Sequence, residues 1–85
     1  MTYNPLQETL NQAMQLTEEQ KKEKINNIKN FELCGVDISK FTYDEETKLI
    51  TIKKGLCRIT LSHLIAAASS KNYKKYLERE IKLGR

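Results

Sequence analysis

What this chain lacks narrows its chemistry before anything in it suggests one. It has three glycines, and neither GxxxxGK[ST] nor GxGxxG occurs. Without such a backbone cradle a nucleotide phosphate has no recognisable seat. There is one histidine, His63, and the two cysteines, Cys34 and Cys57, do not form a CxxC pair. Structural zinc sites use closely spaced ligand pairs, so a metal held by Cys34, Cys57, His63 and Asp37 is not expected. A nucleophilic pair of His63 with either cysteine would need an orienting acid and a substrate cavity. No acid stands at a recognisable spacing, and both cysteines are expected to be reduced and packed. The neighbouring carboxylates, Glu18/Glu19/Glu23 and Asp44/Glu45/Glu46, fall on a polar helix and a hairpin tip. Solvation and helix stabilisation explain them better than acid–base pairing does. The chain therefore reads as non-enzymatic, with no catalytic residue, cofactor, metal or small-molecule substrate.

Long apolar runs are missing too. The longest, LIAAA (64–68), is far short of the roughly 20 residues that cross a bilayer. The start, MTYNPLQETLNQ, lacks the basic and apolar stretches of a secretory signal. A cytoplasmic (host-cell interior) location without membrane attachment is the expectation. At 85 residues the chain is one domain with a thin core, and a deep enclosed site is not expected.

What is present begins with charge. The formal net charge is +4 and the pI about 9.1. This balance permits phosphate contacts. Lysines far outnumber arginines, however, and the forked guanidinium is what specific readers of bases and phosphates favour. The abundance of Lys, Asn and Ile resembles that of an AT-rich genome.

Helical signals fill both ends. Asn4-Pro5 is a start signal, Asn as cap and Pro at the first helical position, and Gln7 stands where a capping-box partner would. Leu6, Leu10, Ala13, Met14, Ile25 and Ile28 share one face at about 100° per residue. LTEEQ (16–20) reads as a second start, capped by Thr17. Between the apolar groups EEQKKEK (18–24) is polar all round, which calls for a break or for pairs such as Glu18–Lys22. The N-terminal helical region spans 1–30, as two pieces or one helix with its middle in water. FELCGVDIS (31–39) is expected as a packed connection with Gly35 at positive φ.

The middle, 39–61, reads as a three-stranded antiparallel meander. DEET (44–47) is a turn, and Lys54-Gly55 fits a two-residue hairpin loop. Closing these turns pairs Tyr43 with Lys48, Phe41 with Ile50, Ile50 with Ile59 and Ile52 with Cys57. One face then carries Phe41, Tyr43, Ile50, Ile52, Cys57, Ile59 and Leu61, as a half-buried sheet requires. The other carries Lys40, Thr42, Leu49, Thr51, Lys53, Leu56, Arg58 and Thr60.

The C-terminal helical region spans 62–83, capped by Ser62 or Thr60, with Gly84 as a stop. Leu61, Leu64, Ile65 and Ala68 share one face. Tyr73, Leu77 and Ile81 share another, rotated by roughly a third of a turn. The shift falls at SSKN (69–72), where Ser69 or Ser70 can cap a second helix. The fold class is α+β, an αβββα order with the helices packed on one face of the sheet. This order resembles the double-stranded-RNA-binding domain in topology. That family's lysine cluster at the start of the last helix has no counterpart in SHLIAAA (62–68), and the basic residues here come about two turns later. The order also resembles that of small phage-encoded inhibitors of bacterial enzymes and defence complexes.

Two functions follow as expectations. The first is a protein-binding module, a phage or mobile-element accessory or inhibitor protein that acts on a larger host complex or self-associates. The second is a small basic nucleic-acid-binding regulator. Lys71, Lys74, Lys75, Tyr76 and Arg79 on the last helix, and Lys40, Lys53 and Arg58 on the sheet, are the candidate charged contacts. Leu49 and Leu56 are the candidate apolar ones on the sheet.

Overall fold

A computed structural model describes residues 4–52 and 58–83, with Arg58 described in its backbone alone. The chain runs α1 (Pro5–Met14), α2 (Glu18–Asn27), β1 (Glu32–Leu33), β2 (Val36–Asp37), a 3-10 turn (Ile38–Lys40), β3 (Thr42–Asp44), β4 (Leu49–Thr51), β5 (Arg58–Ile59), α3 (Leu61–Ser69) and α4 (Lys71–Lys82). It is a small α+β fold of four helices against short antiparallel strands.

Each helix boundary has a side-chain cause. Asn4 accepts from the amides of Leu6 and Gln7. The expected reply from Gln7 does not form; its amide donates to Asn11 at 3.0 Å, one turn on. A full capping box opens α2 instead, with Thr17 Oγ1 and Gln20 Oε1 exchanging bonds with each other's backbone amides. Ser70, in extended conformation at φ −141° and ψ 123°, closes α3 and caps α4. The helical path therefore breaks at both places where the apolar phase shifts or lapses.

FELCGVDIS is a β-hairpin and not merely a connection. Leu33 pairs with Val36 and Glu32 with Asp37. The two residues between, Cys34 at φ 55° and Gly35 at φ 76°, both adopt the left-handed conformation that a tight two-residue hairpin loop requires. Leu33 at its end is 0% exposed, so this hairpin drives one large side chain into the centre.

β3, β4 and β5 stand side by side in that order. Ile50 lies opposite Ile59, but Tyr43 lies opposite Ile50 and not Lys48. The turn is one residue later than DEET predicts: Asp44 pairs with Leu49, and Lys48 takes φ 63° to close it. Asp44 Oδ1 receives the amides of Glu46 and Thr47, and Asp44 O that of Lys48. The register changes by two, which leaves every side chain on the face expected for it. Among the described residues, strands of two or three residues stand where a long meander is expected over 39–61. The Lys54-Gly55 loop and the Ile52–Cys57 pair lie outside the described residues, as does the Gly84 stop.

α3 is the centre of the molecule. Leu61, Ser62, Leu64, Ile65, Ala66 and Ala67 are all buried, and α1, α2 and α4 each pack against this helix. A helix apolar all round belongs in such a position. Ala68, expected in the core, is exposed on the last turn of α3, where it lines an open cleft with Lys24, Asn27 and Ile28. Met14 is likewise exposed at 57%, at the end of α1. Ile50, Ile52, Ile59, Leu61, Leu64, Tyr73 and Leu77 complete the core around Leu33. Each large apolar side chain buried in full stabilises by about 1.5–3 kcal/mol.

Candidate functional site

Of the four helices, α4 separates its apolar and polar sides most sharply. Tyr73 and Leu77 are buried, and Ile81 packs beside them. With this side held, Lys71, Lys75, Arg79 and Lys82 fall within an arc of about 80° on the opposite side. All four are exposed, and none makes an ion pair among the described residues. Along the axis they span roughly 16 Å. The arc holds no acidic residue. Glu78, at its edge, is drawn away: its carboxylate accepts the backbone N–H of Cys34 at 2.8 Å. Glu80 lies on the far side of Tyr76 and lines a groove against α1.

The two tyrosines divide as the wheel requires. Tyr73 is core, and burial first, then the neighbouring Tyr76, pushes its hydroxyl pKa up to about 12. Tyr76 is 42% exposed, its ring 5.7 Å from that of Tyr73 and tilted by 57°. Lys74 is not part of the stripe. It is half-buried with its Nζ 5.7 Å from the centre of the Phe31 ring, a cation–π contact that ties α4 to the β1–β2 hairpin.

The sheet candidates do not gather in the same way. Lys40 is exposed but sits on the 3-10 turn before β3, outside the strands. Leu49 is half-buried beside the β3–β4 turn. Arg58 stands at the register position opposite Thr51, itself opposite Thr42. Lys53 and Leu56 lie outside the described residues. Sequence reasoning missed Lys82, whose signal was available: it is three residues after Arg79 and eleven after Lys71, on the same face.

Two grooves flank α1. One, of about 430 Å³, runs between α1 and α4 past Leu6, Leu10, Tyr76 and Glu80. The other, of about 460 Å³, opens beside the first turn of α3. The small size of the chain gave no hint of either. His63 lines both. Its Nδ1 accepts the Thr60 amide at 3.1 Å and lies 2.8 Å from Thr60 Oγ1, and burial lowers its pKa below the ordinary value of 6.5. The ring is therefore neutral at pH 7, with Nδ1 unprotonated and Nε2 carrying the hydrogen. Among the described residues no group of three or more His, Cys, Asp or Glu side chains gathers as a metal site would require, and no helix is long and apolar enough to cross a membrane.

No family model, no curated protein and no solved structure matches this chain.

Proposed function

We propose that this chain is a small non-catalytic protein-binding module, a phage or mobile-element accessory or inhibitor protein that docks on an acidic surface of a larger host complex. The observation that supports it is the outer face of α4: four exposed cations in one arc, on a helix whose other side is anchored in the core. Fixed on a packed helix, these charges need little ordering when a partner arrives, and ordering is a main cost of association. Complementary charge steers encounter and sets register more than it adds affinity. Tyr76 at the edge of the stripe and Leu83 beyond it, 42% and 60% exposed, supply apolar contact of the kind that anchors interfaces.

Tyr76 also favours a second reading, a basic nucleic-acid-binding regulator, because an exposed ring beside cations can stack on a base while the lysines meet phosphates. Affinity purification with mass spectrometry, with and without nuclease, separates the two. The protein-binding reading expects a partner that survives nuclease and is lost when Lys71, Lys75, Arg79 and Lys82 are changed to Glu. A partner lost to nuclease, together with a gel shift at about 50 mM salt that weakens steeply with added salt, would replace it with the second reading.

A further inference from the structure

The groove beside the first turn of α3 is a built site of different character from the α4 face. Its polar end is the start of α3. Leu61 and Ser62 occupy the first two helical positions, where backbone N–H groups have no intrahelical acceptor. The Thr60 side chain is already occupied by the His63 amide, so it does not serve the other two. Such a terminus carries roughly half a positive charge, which alone defines nothing.

Ser62 supplies the second observation. It is 5% exposed, it lines this groove, and its hydroxyl makes no hydrogen bond among the described residues. Among the described residues no side-chain oxygen is sealed from solvent without a partner, so the Ser62 hydroxyl keeps contact with solvent, and Ser62 lines the groove. A nearly buried hydroxyl without a partner is uncommon in a folded core, and here it stands beside two helix-terminal amides.

The walls specify the rest. Lys21 from α2 and Lys48 from the β3–β4 turn line the groove, with Glu18 as the opposing charge. Glu18 accepts the Tyr43 hydroxyl at 2.8 Å. Two cations and one carboxylate leave one net positive charge, a match for a monoanion at the helix terminus. Leu10, Met14 and Leu61 make the remaining wall apolar, and Met14 stands exposed over it. The volume of about 460 Å³ is within the range of roughly 300–1,000 Å³ that holds small organic ligands.

We propose that this groove binds a small aliphatic monocarboxylate, its carboxylate on the Leu61 and Ser62 amides and the Ser62 hydroxyl, and its chain along Leu10 and Met14. The site is independent of the α4 face and of the partner proposed for it.

The test is a titration of the full ¹⁵N-labelled chain at pH 7.5 with hexanoate, 1-hexanol, hexylamine and acetate, read at the Leu61 and Ser62 amides. Hexanoate is expected to give saturable shifts there, with hexanol, hexylamine and acetate at least tenfold weaker. Ser62→Ala should weaken hexanoate about fivefold, and Lys21→Gln with Lys48→Gln about tenfold. The double lysine variant changes only groove-edge charges and decides the matter if Ser62→Ala does not fold. Hexanol binding as tightly as hexanoate would mean an apolar groove without an anion site and overturn the proposal. Acetate binding as tightly, no saturable shift, or unchanged affinity in a folded Ser62→Ala or double lysine variant would overturn it equally.

Discussion

α2 and α4 are both charged helices of similar length, ten and twelve residues, and they use charge in opposite ways. α4 keeps four of its five cations on one side and packs Tyr73 and Leu77 on the other. α2 has no fully buried residue; half-buried Ile25 packs on the core, and polar groups fasten the rest. Glu18 takes the hydroxyl of Tyr43, which holds the Glu18 pKa low. Lys22 meets both carboxylate oxygens of Glu45 at 3.0 Å and lies 5.5 Å from the Tyr43 ring centre. Glu18 and Lys22 of α2 are thus engaged in the fold, whereas the stripe on α4 is surplus to it. Surplus, pre-positioned charge is what a contact surface needs.

The largest expected effect would break this contrast at its root. Leu77→Ala should cost about 2–5 kcal/mol in urea denaturation, as a buried large-to-small change does. Ile25→Ala on half-buried α2 should cost less than half of that. Equal losses would mean that the two helices are held alike.

Next comes the one acid of α4 with a structural partner. Glu78→Ala removes a charge-assisted bond to a backbone amide and should cost about 1.5–3 kcal/mol. Lys75→Ala, on the exposed face of the same helix, should stay within about 0.5 kcal/mol. At the contact of α2 with β3, Tyr43→Phe should cost about 0.5–1.5 kcal/mol through the lost bond to Glu18. Lys22→Ala should cost at most about 1 kcal/mol, and less in high salt, since the Lys22–Glu45 pair is solvent-exposed.

The helix starts offer a further contrast that pH can sharpen. α2 and α3 use the same reciprocal cap, with Gln20 in one and His63 in the other. The folded-state pKa of His63 is lowered by burial, so the unfolded chain binds its proton first on acidification. Stability from this group is complete above the ordinary value of 6.5 and declines as pH falls from there through the folded pKa. His63→Asn should flatten the dependence of the urea midpoint on pH in that window. Gln20→Ala should lower the midpoint without changing the slope.

Much of this arrangement is legible in the sequence, and the failures have physical causes. Caps at Asn4 and Thr17, the break at SSKN and the division of Tyr73 from Tyr76 all follow from local chemistry and helical phase. The β1–β2 hairpin escaped because its loop is Cys-Gly, and Cys34 at positive φ carries no sequence signal such as Asn would. DEET predicts the β3–β4 turn one residue early because Lys48, not a glycine, supplies its left-handed residue. Ala68 and Met14 show where periodicity misleads: a wheel gives direction, but near the helix ends both residues face open clefts and are not covered. The α1 grooves and the partnerless hydroxyl of Ser62 depend on tertiary spacing that no local pattern encodes.

The most direct test of the account changes Lys71, Lys75, Arg79 and Lys82 together to Gln and compares capture of the proposed protein partner from nuclease-treated native lysate with that by the unchanged chain, urea midpoints being measured on both. The account predicts that the partner is lost while the urea midpoint moves little. Retention of the partner at full yield, or collapse of the fold with these four charges gone, would contradict it.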